Sequence, residues 1–195
     1  MSKSDPSSSK KERNKTIRWV ILVFFVTIVI SALISFLSEE LMEGSSIYVA
    51  FAVLLLIIFV GIIFEIIGVA VTSADEKPFH SMAARKVPGA QESIKLLRNA
   101  EKVSSICNDV IGDICGVVSG AASAVIASQV IAKFSFSWEE IMSLMMSALV
   151  AGLTVGGKAM GKSFAIGSCT FIVQTVGRLI SCFGRIGSVF SKKEK

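Results

Sequence analysis

The sequence predicts an all-α integral membrane protein of about four transmembrane helices plus cytoplasmic amphipathic helices. Three observations carry that expectation. The chain is 52% hydrophobic and 18% charged, against roughly 45–50% and about 25% in soluble domains. Its apolar residues come in long uninterrupted runs, not in a helical or strand period, and about 20 such residues are needed to cross the hydrocarbon layer. Its basic residues collect in alternate connections between those runs, as they do when short basic loops stay in the cytoplasm.

The elements follow in order. Residues 1–16 are rich in Ser and Lys, a composition that predicts a disordered cytoplasmic tail. The first span covers 17–37, with Arg18 at its entrance and Thr27 and Ser31 inside it. It is longer than the roughly 7–15 apolar residues of a signal-peptide core. Ser38, Glu39 and Glu40 make a poor cleavage site, so it reads as a signal anchor. The second span, 47–71, holds a single charge, Glu65. A cytoplasmic loop, 72–102, is broken by Pro78 and Pro88, and its stretch 90–100 sets Ile94, Leu96 and Leu97 along one side of an amphipathic helix. The third span, 103–132, carries Asn108, Asp109 and Asp113 in its first turns. The fourth, 138–157, opens on Trp138, an expected interface anchor. Residues 17–157 thus form a four-helix transmembrane domain. Arg178 and Arg185 interrupt the apolar character of 158–195, which predicts a juxtamembrane amphipathic helix and a basic tail.

Nineteen of the twenty Lys and Arg residues fall before or at the entrance of the first span, between spans two and three, or after span four; only Lys133 lies in the opposite loops. An even number of spans puts both termini on that basic side. A multi-pass protein with cytoplasmic N- and C-termini is expected, in a bacterial cell membrane. The opposite loops carry Glu39, Glu40, Glu43, Glu139 and Glu140. This segregation and the net charge of +5 fit anionic lipid head groups and argue against nucleic acid. Cys107, Cys115, Cys169 and Cys182 show neither CxxC nor Cys/His spacing, and His80 has no partner at metal or triad spacing. No enzyme and no tightly bound cofactor is expected.

The chemistry lies in polar groups inside the spans, where ionisable side chains are costly unless they face the bundle interior, water or a partner. Glu65 and Asp109 each lie about six residues from the inner boundary, roughly 9 Å deep at about 1.5 Å per residue. Asp113 falls on the Asp109 face because it is four residues on, and Asn108 adds a neutral oxygen. Like charges in one apolar pocket need compensation. Either protons are retained, or Lys102, Lys158 or Lys162 pairs with them in a structural network, or a cation binds. Carboxylate and amide oxygens suit Mg²⁺, which keeps several waters and takes one or two carboxylates; the expected metal ligands are Glu65, Asn108, Asp109 and Asp113. Gly112, Gly116 and Gly120 form a doubled GxxxG on the same helix, a stripe expected to pack against another helix.

The segments 64–74, 90–99, 106–127 and 151–165 resemble the transmembrane domain of the cyclin M/CorB–CorC family of magnesium transporters. In that family one core helix opens with Gly-Asn-x-x-x-Asn and another ends in a Glu-x-x-Pro-Lys-like signal. Here Cys107-Asn108-Asp109-Val110-Ile111-Gly112 lies over the first and Gly157-Lys158-Ala159-Met160-Gly161-Lys162 over the second, so Asn108 and Lys162 match. The family's Ser/Glu stretch is replaced by Glu65-Ile66-Ile67-Gly68. The resemblance covers roughly 47–190 and implies a divergent, truncated relative without the family's nucleotide-binding domains, working as a homodimer. It implies divalent-cation transport or homeostasis, magnesium above all. The alternative is a non-transporting membrane anchor or regulatory subunit whose loop and tail recruit a cytoplasmic partner protein.

Overall fold

A computed structural model describes the backbone of residues 6–42, 45–134 and 139–191 and the side chains of 17–42, 45–133 and 139–182. Trp138 lies outside them. The chain forms α1 (Pro6–Met42), α2 (Ile47–Ser73), α3 (Lys77–Ala84), α4 (Ala90–Arg98), α5 (Ala100–Ser104), a π-helix (Ser105–Gly112), α6 (Asp113–Phe134), α7 (Glu139–Gly167) and α8 (Cys169–Ser191). The described residues contain no strand. Four stretches are long and apolar enough to cross a membrane: Ile17–Met42, Ile47–Ser73, Ala100–Lys133 and Glu139–Gly167. The protein is an all-α membrane protein.

A trio of α2, α6 and α7 packs mutually, and α1 leans on α6 from outside. The trio closes through glycine. A methyl at Gly61 would come 2.9 Å from Cys115 Cβ, and one at Gly161 would come 3.0 Å from Ile66 Cγ1; such close helix approach is what small residues permit in a bilayer. At one end of the trio Met42, Ala50, Leu54, Ile58, Ala122, Ile126 and Val150 form an apolar cluster. At the other end α3, α4, α5 and α8 gather around α2, where Ala70, Val71, Phe79, Ala165, Ile172 and Val173 form a second. There α4 crosses α8 closely. The Ser93 hydroxyl donates to the Val173 carbonyl at 3.1 Å, and any side chain on Gly89, at φ +84°, would strike the Arg178 backbone.

Several boundaries move from their expected places. Residues 6–16 continue α1 as helix rather than forming a disordered tail. Pro6 suits the first helical position, and the Lys, Arg and Glu that follow are good helix formers. The fourth span runs to Gly167, ten residues past 157, because the charges of Lys158 and Lys162 find partners inside the bundle. The amphipathic helix accordingly begins at Cys169, after a break at Ser168, rather than at 158. The third span begins as a short α-helix and then a π-helix. The glycine stripe divides as well: Gly112 is buried, whereas nothing lies within 4 Å of a methyl placed at Gly116 or Gly120. Those two glycines do not pack against a helix of this chain.

Candidate functional site

Glu65 occupies the face of α2 that meets the π-helix and α7, and its side chain is only 6% exposed. Two lysines of α7, one turn apart, reach it: Lys162 Nζ at 3.1 Å from Oε1 and Lys158 Nζ at 3.7 Å from Oε2. Lys158 also lies 3.6 Å from Asp113 Oδ1 and donates to the Gly112 carbonyl at 3.1 Å. The result is a chain of alternating charge, Lys162–Glu65–Lys158–Asp113, with two carboxylates and two ammonium groups and no net charge. The ends differ from the middle. Lys162 and Asp113 are 54% and 72% exposed, whereas Lys158 is 19% exposed.

Local sequence explains the convergence. Gly112 lies against the charged groups: a methyl there would come 3.4 Å from Glu65 Oε2 and 3.5 Å from Lys158 Nζ, ordinary contact distances. Gly68, three residues after Glu65, makes room for Asn108, because a methyl at 68 would overlap the Asn108 amide oxygen. Asn108 Nδ2 donates to Ser104 Oγ at 3.2 Å. Its Oδ1 is buried and has no hydrogen-bond partner among the described residues. An unpaired buried acceptor is uncommon in folded proteins and calls for an explanation.

The sequence-predicted ligand set does not converge as a whole. Glu65 and Asp113 share Lys158, and Asn108 reaches α2 one turn along from Glu65. Asp109 is exposed and forms no ion pair among the described residues. Residues 105–112, which include Asn108 and Asp109, form the π-helix. No group of three or more His, Cys, Asp or Glu side chains able to hold a metal occurs among the described residues. Of the three candidate charge partners, Lys158 and Lys162 engage the carboxylates, while Lys102 is exposed and makes no ion pair among the described residues.

Residues 156–163 also spell Gly-Gly-Lys-Ala-Met-Gly-Lys-Ser, the letters of a phosphate-binding loop. That motif works as a loop whose free backbone N–H groups cradle phosphates. Here all eight residues lie inside α7, where those N–H groups bond within the helix and both lysines face carboxylates. The letters carry no nucleotide site. The chain matches no protein-family model, no curated protein and no solved structure.

Proposed function

We propose that the chain handles divalent cations, magnesium first among them, as a multi-pass transport or homeostasis protein with both termini and the α3–α5 loop on the cytoplasmic side. One observation carries this reading: a nearly fully buried carboxylate, Glu65, lies within a membrane-spanning helix, one turn from a buried amide oxygen, that of Asn108, that has no partner. A charge at that position is expensive to maintain in a bilayer, and such groups mark ion pathways and relays. The π-helix beside it belongs to a class frequently found at functional sites.

The two lysines define the ion-free state. Mg²⁺ keeps most of its waters and takes one or two carboxylates. An arriving ion would compete with the Lys162 ammonium for Glu65 Oε1. Lys162 is half exposed and can turn away, while Lys158 stays tied to Asp113 and to the Gly112 carbonyl. Glu65 and Asn108 act as ligands, Asp113 holds Lys158 in place, and Asp109 is an accessory charge at the approach. The open faces of Gly116 and Gly120 are where a second copy would pack in a homodimer.

The other reading, a non-transporting anchor or regulatory subunit that recruits a cytoplasmic partner, is favoured by the same ion pairs, since they neutralise Glu65 without any metal. Calorimetric titration of the detergent-purified protein with Mg²⁺ separates the two. Saturable binding that Glu65→Gln abolishes, with melting behaviour retained, supports cation handling. A folded wild type that binds no Mg²⁺ up to roughly millimolar concentration, a range typical of weak hard-cation sites, supports the anchor.

A further inference from the structure

Beside the crossing of α4 and α8 lies a groove of about 760 Å³ that the cation reading does not use. Lys86 and Lys95 line it, with Glu92 as its acidic residue, and Leu96, Val103 and Ile180 add apolar lining. Neither lysine has a carboxylate partner among the described residues. Ile180 is exposed on α8, as is its neighbour Leu179. The groove reaches Asn99 and Val103, at the start of the third span, Ala100–Lys133.

The turn at Lys86 points to a role for that side chain. Lys86 has φ +57°, the only non-glycine residue with positive φ among those described. It closes α3: its N–H donates to the Ala83 carbonyl at 2.9 Å, and the Val87 N–H donates to that of Met82 at 3.0 Å. Glycine is the residue that makes this left-handed helix end without strain. The turn therefore gives no reason for a lysine, whereas an ammonium at the groove rim does. Strained non-glycine positions cluster at active sites and ligand clamps.

We infer that this groove binds the head group of an anionic phospholipid, with Lys86 and Lys95 on the phosphate and the acyl chains running along Leu96, Val103 and Ile180. The occupant follows from charge complementarity and from the reach of the groove to the start of the third span and to the exposed Ile180 of α8; basic pockets beside membrane helices bind such head groups. The inference is independent of whether Glu65 binds a cation.

The test uses the full chain in phosphatidylcholine bilayers and measures its association with spin-labelled phosphatidylglycerol relative to spin-labelled phosphatidylcholine. Wild type should prefer the anionic lipid. The double variant Lys86→Gly, Lys95→Gln should lose about fivefold of that preference per lysine removed. Lys86→Gly relaxes the turn, so misfolding does not account for a loss. The control pair Lys77→Gln, Arg85→Gln removes equal charge from exposed sites outside the groove and should leave the preference intact. An equal loss in the control, no preference in wild type, or displacement of the label by millimolar inorganic phosphate would each overturn the assignment.

Discussion

Helices α1 and α6 both cross the membrane, yet they meet the rest of the chain in opposite ways. None of the most apolar stretch of α1 is buried inside the protein, whereas 56% of the corresponding stretch of the third span is. α1 exposes Phe24, Phe25, Leu33, Phe36 and Leu37. The less apolar α6 buries Ser119, Ser123 and Ala122 and sets Cys115 against Gly61. In water the greasier helix would be the core. In a bilayer lipid solvates large apolar side chains, so small residues and paired polar groups mark the interior.

The contrast should be most visible where charge is buried. Lys158→Met leaves Glu65 with only the half-exposed Lys162, and breaking a buried pair costs about 3–5 kcal/mol. A large drop in thermal midpoint in detergent is expected, and a midpoint unchanged from wild type would mean that the Lys158–Glu65 pair does not hold the bundle together. A smaller effect belongs to the packed glycines. Gly61→Val places its side chain against Cys115 Cβ, an overpacking that costs about 1–3 kcal/mol by denaturant or thermal unfolding. On the open face the sign reverses. Nothing lies within 4 Å of a methyl at Gly152, so Gly152→Ala should stabilise by up to about 0.5–1 kcal/mol through helix propensity. Destabilisation there would reveal a second copy packed on that face. Least of all should change at Phe25, a lipid-facing position of α1, where Phe25→Leu is expected to stay within about 0.5 kcal/mol.

The same contrast explains how much the sequence disclosed. Long apolar runs located all four spans, because length and hydropathy are properties of each run alone. The loop helix α4 and the amphipathic α8 were legible from their period and from Arg178. The end of α7 was hidden, since Lys158 and Lys162 look like the edge of a span until their carboxylate partners on α2 and α6 are known. Asp109 is exposed and makes no ion pair among the described residues, unlike Asp113, and nothing local in Ser105–Gly112 announces a π-helix. Pairing among Glu65, Lys158 and Lys162 was foreseeable as one of two alternatives, whereas the orphaned Asn108 oxygen depends on Gly68 of another helix. The glycine stripe was legible as a motif but not by role: nothing lies within 4 Å of a methyl at Gly116 or Gly120, and the tight approaches fall outside it, at Gly61 and Gly161.

The central claim is that Glu65 serves a cation and not only the lysines beside it. Mg²⁺ uptake into proteoliposomes, read with an entrapped magnesium-sensitive dye, tests this most directly. Wild type should load the vesicles with Mg²⁺, Glu65→Gln should lose that uptake while still melting cooperatively, and Phe25→Leu should load them as wild type does. Equal uptake by wild type and Glu65→Gln, or none above empty vesicles by a folded wild type, would contradict the claim and leave the ion-paired layer as an anchor for the bundle.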